Sequence, residues 1–369
     1  MERLKPMSHA TRKNIGVIGL GIIGRGVAGN LRRKGFPVYV WNRSPRSVPN
    51  FVGSPGEVAE ICNYIQIVVS DDDALLQTVE QLSGKLTPRH LVLAHSTVAP
   101  DSMRAAAEIV ERRKAQFVEA PFTGSKAAAE KGELVYYVSG NDAALREARP
   151  ILEASSKEII EIGSTVGQAS AIKIATNMIT AASIQATAEA LALVQALGLP
   201  LEKFVEAMRS NASNSTTVAM KLPKMLNRDF EPHFSVKHML KDMQIANQIG
   251  LSHYLDLGVT AAARDQLLEQ MHWGHGDDDY SVVARKYLHE PAPVEGEELQ
   301  LGEEDEQASV SEPIASSADV ETQDQQDATP EVSPAPLVSV ASRGAANETT
   351  RLRRGFLKQL LSRLSSGKE

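Results

Sequence analysis

The chain has 369 residues, a formal net charge of −7 and one cysteine. This length predicts two or three domains. A single cysteine excludes an intramolecular disulfide and a four-cysteine zinc site, and we expect no metal site in the protein. Residues 290–350 hold 15 acidic side chains and one basic one, and residues 351–369 hold six basic and one acidic, which leaves +2 for all other residues. A near-neutral remainder gives no indication of a nucleic-acid-binding surface.

The N-terminal part predicts a nucleotide-binding loop. Residues 1–13 form a polar extension with no apolar signal region, so we expect a cytoplasmic protein. Residues 14–18 have the pattern of a buried strand, and Gly19-X-Gly21-X-X-Gly24 follows directly before a helical segment. This order brings backbone N–H groups and a helix N-terminus close to a pyrophosphate. We therefore predict that a dinucleotide binds at Gly19, Leu20, Gly21, Ile22, Ile23 and Gly24.

The next strand, residues 37–41, ends where the ribose of a dinucleotide would lie, about twenty residues beyond the glycine loop. An acidic residue at this point would favour NAD, but the chain has Asn42, Arg43 and Ser44 there. A guanidinium and a hydroxyl can bind a 2′-phosphate, so the pattern favours NADP (NADPH) over NAD. The alternative is a solvated turn that carries two arginines, Arg43 and Arg46.

The remaining pattern predicts the fold class. Further apolar runs alternate with helical segments up to residue 166, and only helical segments follow, so we predict an α/β Rossmann-type doubly wound sheet (14–166) and an all-α domain for substrate binding and dimerisation (167–289). The later strands are expected at residues 64–69, 90–94, 116–120 and 135–138, and the helices of the second domain at 171–197, 201–210, 216–226, 236–248 and 260–271.

Lys173 and Asn177 are polar residues in an apolar, alanine-rich segment. Their spacing places both side chains on one face of a helix, where the ammonium and the amide can donate to a single oxygen. Burial lowers the pKa of an ammonium and enables it to exchange a proton near neutral pH. The alternative is an ordinary surface lysine on an amphipathic helix.

The small residues of segment 171–199 favour close packing of this helix against others. We therefore expect a homodimer or tetramer, and not a membrane span.

The C-terminal part has a different composition. Residues 290–350 are rich in Glu, Gln, Ser, Ala and Pro, which predicts a disordered acidic linker. In residues 351–369, leucine and phenylalanine recur at helical spacing among basic residues, which predicts a short basic amphipathic helix. Its candidate partners are an anionic membrane surface, another protein and the acidic linker of the same chain.

With these motifs the chain resembles the β-hydroxyacid dehydrogenase family over residues 14–287. This family includes 3-hydroxyisobutyrate dehydrogenase, tartronate semialdehyde reductase and glyoxylate/succinic semialdehyde reductase. Five motifs follow the family's order: the glycine loop, Ser96-Thr97-Val98-Ala99-Pro100, Glu119-Ala120-Pro121-Phe122-Thr123-Gly124-Ser125, Lys173-X-X-X-Asn177, and Lys241-Asp242.

The resemblance implies a role for each of these residues. Lys173 would protonate the oxygen formed as hydride is transferred, and Asn177 would help to hold that oxygen and the lysine. The loop Thr123, Gly124 and Ser125 would bind the substrate carboxylate, Thr97 would face nicotinamide and substrate, Phe234 and Asp242 would line the pocket, and Lys241 would lie near the cofactor. Without the family, residues 96–97 could be a helix cap and residues 123–125 a plain turn.

Two residues depart from the family pattern. Thr123 stands where serine is usual, and its extra methyl group narrows the carboxylate site. Ala94-His95 precedes Ser96, where an acidic residue is frequent. His95 could titrate near the site, but a structural histidine is the favoured interpretation.

Residues 124–132 and Arg43 resemble the glyoxylate/succinic semialdehyde branch, so we expect a small carboxylate-bearing aldehyde as substrate. One alternative is an imine reductase-like enzyme, although such enzymes generally lack the lysine. Another is a non-catalytic, cofactor-binding scaffold that acts through its tail.

Overall fold

The computed structural model describes residues 14–288. The polar extension at 1–13, the acidic linker at 290–350 and the basic helix at 351–369, all expected from the sequence, lie outside these residues.

The buried strand before the glycine loop, β1, is fully covered because helices pack on both faces of its sheet. The strands are β1 (Ile15–Ile18), β2 (Val38–Trp41), β3 (Tyr64–Ile67), β4 (Leu91–Ala94), β5 (Gln116–Glu119), β6 (Phe122–Thr123), β7 (Leu134–Gly140) and β8 (Ser156–Gly163). Along the sheet they are ordered β2-β1-β3-β4-β5-β7-β6, and β8 also pairs with β7. The first five are parallel, and β7 is antiparallel to β5 and β6.

Six helices accompany the strands: α1 (Ile22–Arg33), α2 (Pro55–Ile61), α3 (Asp72–Ser83), α4 (Pro100–Glu111), α5 (Lys126–Lys131) and α6 (Asp142–Leu152). One apolar core lies between the sheet and helices α1 and α6, and a second lies between the other face and helices α2, α3 and α4. This arrangement confirms the predicted doubly wound sheet.

The helical part follows β8. It consists of α7 (Gln168–Ala196), α8 (Leu201–Arg209), α9 (Thr216–Leu226), α10 (Val236–Ser252), α11 (Gly258–His272) and a 3₁₀ helix (Tyr280–Ala284). A third apolar core joins α7, α9, α10, α11 and the 3₁₀ helix. The predicted all-α region is thereby confirmed, whereas the boundary between two domains at residue 166 stays a prediction.

Two strands were not predicted. β6 has two residues, and β8 mixes charged and apolar residues and has only half-buried or exposed positions. Its apolar pattern is weak because β8 lies at an edge of the sheet, where part of each side chain faces solvent.

Long apolar segments raise the question of membrane insertion. Among the helices of residues 14–288, none combines the length and the apolar character that crossing a bilayer requires.

Cys62 ends helix α2 and packs beneath β1. A Cβ on Gly16 of β1 would lie 2.2 Å from a methyl group of Val58 and 3.5 Å from the Cys62 sulfur, so the helix and the strand are in close contact. Burial raises the pKa of the Cys62 thiol to about 12.

Candidate active site

The glycine loop connects β1 to α1, and its three glycines have different surroundings. Gly19 has φ +97°, and a Cβ there would lie 2.1 Å from the Val68 carbonyl oxygen. A Cβ on Gly24 would lie 1.9 Å from the Gly19 carbonyl oxygen, whereas one on Gly21 would meet no atom within 4 Å. Gly19 and Gly24 are therefore required by the fold of the loop, and Gly21 leaves open space.

The open space at Gly21 lies at the N-terminus of α1. No side chain caps this helix, so its first N–H groups are available to a ligand. Helix dipole and N–H groups together favour an anion at this point. The loop thus fits the pyrophosphate of a dinucleotide.

Asn42 ties the end of β2 to the loop. Its Oδ1 accepts a 2.8 Å hydrogen bond from the Leu20 N–H, and its Nδ2 donates to the Ser44 carbonyl at 2.8 Å. Arg43 and Ser44 follow in an exposed turn. The predicted ribose position is therefore linked directly to the glycine loop, with an exposed guanidinium next to it.

Lys173 lies in the second turn of α7 and is only 8% exposed, so it is not a surface lysine. Its Nζ donates to Asn177 Oδ1 at 2.9 Å, and Asn177 Nδ2 donates to Asp242 Oδ2 at 2.6 Å. The carboxylate can only accept and the ammonium can only donate, so the two partners fix the orientation of the amide between them. Asp242 lies on α10 and is fully buried.

The surroundings of Lys173 change its acidity. Burial lowers its pKa from 10.5 to about 8, the negative charge of Asp242 opposes this shift, and the positive charge of Lys241 adds to it. At neutral pH such a lysine is mostly protonated and can still release its proton, as a general acid requires.

Lys241 connects the helical part to the sheet. Its Nζ donates to Asp242 Oδ1 at 2.7 Å and also to the carbonyl oxygen of Thr97, in the loop after β4. Thr97, Lys241, Asp242, Asn177 and Lys173 thus form one continuous hydrogen-bonded chain.

The loop after β4 does not cap the following helix. Ser96 Oγ accepts from the Val69 N–H at 3.1 Å, and α4 begins after Ala99 with no side-chain cap. Asp72 accepts from the Ala99 N–H at 3.0 Å. The helix-cap alternative for residues 96–97 is therefore wrong, and Thr97 is left half-buried beside Lys241.

The predicted carboxylate loop begins at Thr123, the last residue of β6. Thr123 and Gly124 are exposed, and Ser125 Oγ accepts from the Ala128 N–H at 3.2 Å, which caps α5. Gly124 has φ +144°, and a Cβ there would lie 2.8 Å from a methyl group of Leu134. This position therefore requires glycine.

Phe234 precedes α10 and is held by its neighbours. Its ring stacks on His238 with centroids 6.0 Å apart and meets Tyr280 edge-on at 6.1 Å. Its N–H donates to Asp279 Oδ2 at 3.3 Å, and the buried Lys221 donates to both oxygens of the same carboxylate at 2.7 and 2.6 Å. A buried ion pair therefore fixes the turn that carries Phe234.

His238 and Asp279 were not among the predicted site residues. His238 lies one helical turn before Lys241 and Asp242, and its pKa is lowered, mainly by burial and then by the charge of Lys241. Helical spacing from the Lys241-Asp242 pair was the available signal for His238. No sequence pattern indicates which cation pairs with Asp279.

His95 is buried beneath the site. Its Nδ1 lies 2.8 Å from the Ala120 carbonyl oxygen and its Nε2 lies 2.9 Å from the Gln66 side chain. Burial lowers its pKa to about 4. The ring is therefore neutral at physiological pH, which is the behaviour of a structural histidine.

Two family models match adjacent parts of the chain. The NAD-binding domain of 6-phosphogluconate dehydrogenase matches residues 14–163, and the NAD-binding domain of NADP-dependent 3-hydroxyisobutyrate dehydrogenase matches residues 167–287.

Individual proteins are similar over the same region. Glyoxylate/succinic semialdehyde reductase 1 of Arabidopsis thaliana is 30% identical over 279 residues, which are 73% of this chain and 96% of that protein. Cytokine-like nuclear factor N-PAC of Danio rerio is 30% identical over 289 residues, 76% of this chain and 63% of that longer protein. A solved 3-hydroxyisobutyrate dehydrogenase of Mycobacterium tuberculosis with L-serine is 25% identical, with a TM-score of 0.68 over 75% of this chain and 99% of that one.

Proposed function

Because the chain belongs to the β-hydroxyacid dehydrogenase family and is an NAD(P)-dependent oxidoreductase acting on CH–OH groups, we propose that it reduces a small semialdehyde or 2-oxo acid to the hydroxy acid with NADPH. The observation that carries this proposal is the buried Lys173, held by Asn177 and Asp242.

Lys173 acts as the proton donor of this reaction. Bound NADPH supplies the hydride. The Lys173 ammonium gives its proton to the substrate oxygen, and with a pKa of about 8 it is about nine-tenths protonated at pH 7. In the reverse direction the neutral amine accepts the proton from the hydroxyl group.

Asn177 and Asp242 orient the lysine. Asn177 Oδ1 accepts from the ammonium, and one N–H of its amide is engaged by Asp242. The second N–H is left to donate to the substrate oxygen. Asp242, which the resemblance places in the lining of the pocket, thus acts mainly through Asn177 and Lys241.

The substrate is anchored by its carboxylate. Thr123 and Gly124 are exposed, and they offer a side-chain hydroxyl and, beyond the end of β6, the backbone N–H of Gly124, which suit an anion. Phe234 covers an apolar part of the substrate. The similarity to the Arabidopsis glyoxylate/succinic semialdehyde reductase supports a short aldehyde with one carboxylate.

NADPH is the proposed cofactor in preference to NADH. The exposed Arg43 and Ser44 follow β2 at the ribose position, and Asn42 holds this turn against the glycine loop. A guanidinium binds a 2′-phosphate strongly, whereas the 2′-hydroxyl of NADH needs an acidic partner that this turn does not supply.

The test is NADPH oxidation with glyoxylate, succinic semialdehyde, methylmalonate semialdehyde and tartronate semialdehyde, for the wild type and for Lys173→Ala. We expect turnover of at least one of these aldehydes by the wild type and a loss of about a thousandfold in kcat in the variant. NADPH binding, measured by fluorescence titration, should be retained. Unchanged turnover after the substitution would refute the role of Lys173.

A homodimer or tetramer is the proposed assembly. Helices α7, α10 and α11 expose large apolar side chains, among them Ile179 at 70%, Leu193 at 62% and Val259 at 71%. Exposed apolar surface of this kind usually marks an interface. Light scattering of Ile179→Glu and Leu193→Glu tests this, since both variants should give smaller species.

A scaffold without catalysis is the second candidate function. Cytokine-like nuclear factor N-PAC is 30% identical to this chain, as is the Arabidopsis reductase. This chain also carries a long acidic segment beyond residue 289. A scaffold would lose its partner when residues 291–369 are deleted, whereas a reductase should keep its kcat. The cytoplasmic location and a membrane or protein contact through residues 351–369 stay predictions.

A further inference from the structure

Glu119 is a buried carboxylate at the end of β5 that takes no part in the proton transfer described above. It is 0% exposed. Its Oε1 accepts from the N–H groups of Gly167 at 2.6 Å and Ala169 at 2.9 Å. Its Oε2 accepts from Ser170, from the N–H at 3.3 Å and from Oγ at 2.7 Å. One carboxylate therefore accepts from three backbone N–H groups and one hydroxyl group at the start of α7.

This cap is supplied from a distant part of the chain. The residue that precedes α7, Gly167, has no side chain to cap the helix, and Glu119 lies 48 positions earlier. Gly167 has φ +99°, and a Cβ there would lie 2.4 Å from Arg104 Nη1. The helix start is thus fixed by tertiary contacts and not by a local capping residue.

Ser139 of β7 completes the anchor. It is paired in register with Glu119 in the sheet, and its Oγ donates to the Glu119 carboxylate. The same Oγ accepts from the Ala169 N–H at 3.2 Å. Two neighbouring strands therefore hold the first turn of α7 together, so the helix can neither slide along its axis nor rotate without breaking these bonds.

Lys173 leaves α7 three residues after Ser170, less than one helical turn from the anchor. Its position relative to the glycine loop and the β4 loop consequently depends on where the helix begins. We propose that Glu119 is a positioning residue that places the Lys173 ammonium for proton transfer. This inference rests on the proposed role of Lys173 as the proton donor.

The test substitution is Glu119→Gln, which preserves the shape of the side chain. The amide oxygen can still accept from Gly167 and Ala169, but the amide NH₂ then faces the Ser170 N–H, so one bond becomes a contact between two donors. The negative charge at the helix N-terminus is lost as well. We expect kcat to fall about 10- to 100-fold, while the KM values for aldehyde and NADPH change by less than about threefold.

The pH profile supplies a readout that a purely structural role would not move. A loosened first turn admits water to Lys173, so the pKa of the ammonium should rise towards its ordinary value. The high-pH limb of kcat for reduction should therefore move upward in Glu119→Gln. Measurements are made well below the unfolding midpoint of the variant, and active sites are counted by NADPH binding.

Glu147→Gln is the matched control. Glu147 accepts from the Tyr64 hydroxyl at 3.0 Å and from Gln116, at the other end of β5, at 3.2 Å. Its substitution removes the same charge from a carboxylate that contacts the same strand at the end opposite Glu119. We expect unchanged kcat and an unchanged pH profile in this control.

The outcomes separate the two proposals. If Lys173→Ala abolishes turnover and Glu119→Gln keeps wild-type kcat and pH profile, the positioning role is wrong and the proposed function stands. If Lys173→Ala keeps full activity, the proposed function itself fails. If Glu119→Gln does not fold, Ser139→Ala and Ser170→Ala take its place. Each of these variants should lower kcat about threefold at unchanged KM. A wild-type kcat in both variants would overturn the inference.

Discussion

Replacing Lys173 by methionine is expected to stabilise the folded protein while abolishing turnover. Burial lowers the pKa of Lys173 from 10.5 to about 8. At about 1.4 kcal/mol for each tenfold change in a proton equilibrium, the charged amine is disfavoured in its folded site by about 3 kcal/mol. A methionine of similar length avoids this penalty. The methionine leaves Asn177 Oδ1 without its donor, which costs about 1 kcal/mol of stability. The free energy of unfolding at neutral pH is therefore expected to rise by about 2 kcal/mol.

The gain has a defined pH dependence. Below the folded pKa of about 8 the lysine is charged in both the folded and the unfolded chain, so the methionine variant has its full advantage. Between the folded pKa and the ordinary value of 10.5, the folded chain has released a proton that the unfolded chain still holds. The stability of the wild type therefore rises with pH in this window relative to the variant, and the advantage of methionine shrinks.

The assay is urea or thermal unfolding of cofactor-free protein, followed by circular dichroism at about pH 7 and about pH 10, on either side of the titration. At roughly 2 °C for each kcal/mol, the unfolding midpoint should rise by about 4 °C at the lower pH. Lys203→Met is the control, because this lysine on α8 is 75% exposed and pairs with the exposed Glu206 at 2.8 Å. Equal or lower stability of Lys173→Met at neutral pH would refute the reasoning, as would a difference that does not depend on pH.

Three further substitutions test the cofactor site and the acidity of Lys173. Gly24→Ala places a Cβ 1.9 Å from the Gly19 carbonyl oxygen, so NADPH binding measured by fluorescence should be lost, and normal binding would contradict the loop geometry. Arg43→Ala should raise the KM for NADPH about tenfold or more and leave that for NADH nearly unchanged; equal effects on both cofactors would argue against a 2′-phosphate contact. Asp242→Asn removes the charge that raises the pKa of Lys173, so the high-pH limb of the reduction rate should move to lower pH, and an upward movement would contradict the assigned electrostatics.

The sheet could be predicted from the sequence because its central strands are short apolar runs separated by helical segments. β1, β3 and β4 are buried almost throughout, so nearly every position carries the signal. β8 could not be predicted in the same way, because three of its four exposed positions carry lysine or glutamate and none of its positions is fully buried. The antiparallel pairing of β7 with β5 is also invisible in the residue pattern, which specifies a strand but not its neighbour.

The candidate site was partly predictable for a similar reason. Lys173 and Asn177 lie four residues apart on one helix, so their hydrogen bond follows from helical geometry alone. Asp242 is 65 positions from Asn177, and only tertiary packing determines that these two residues meet. The cap that Glu119 provides for α7 has the same origin. A glutamate at the end of a strand carries no local sign of the helix whose N-terminus it will meet.

Cys62 has a practical consequence for experiments on this protein. It is the one cysteine of the chain, it lies beneath β1, and its thiol has a pKa of about 12. At neutral pH about one molecule in 10⁵ would carry the reactive thiolate, and burial hinders access to the sulfur further. A cysteine introduced at a chosen surface position would therefore react selectively with maleimide dyes or spin labels. With two such labels, one near the glycine loop and one on α10, the distance between them could then be measured without first removing the native thiol.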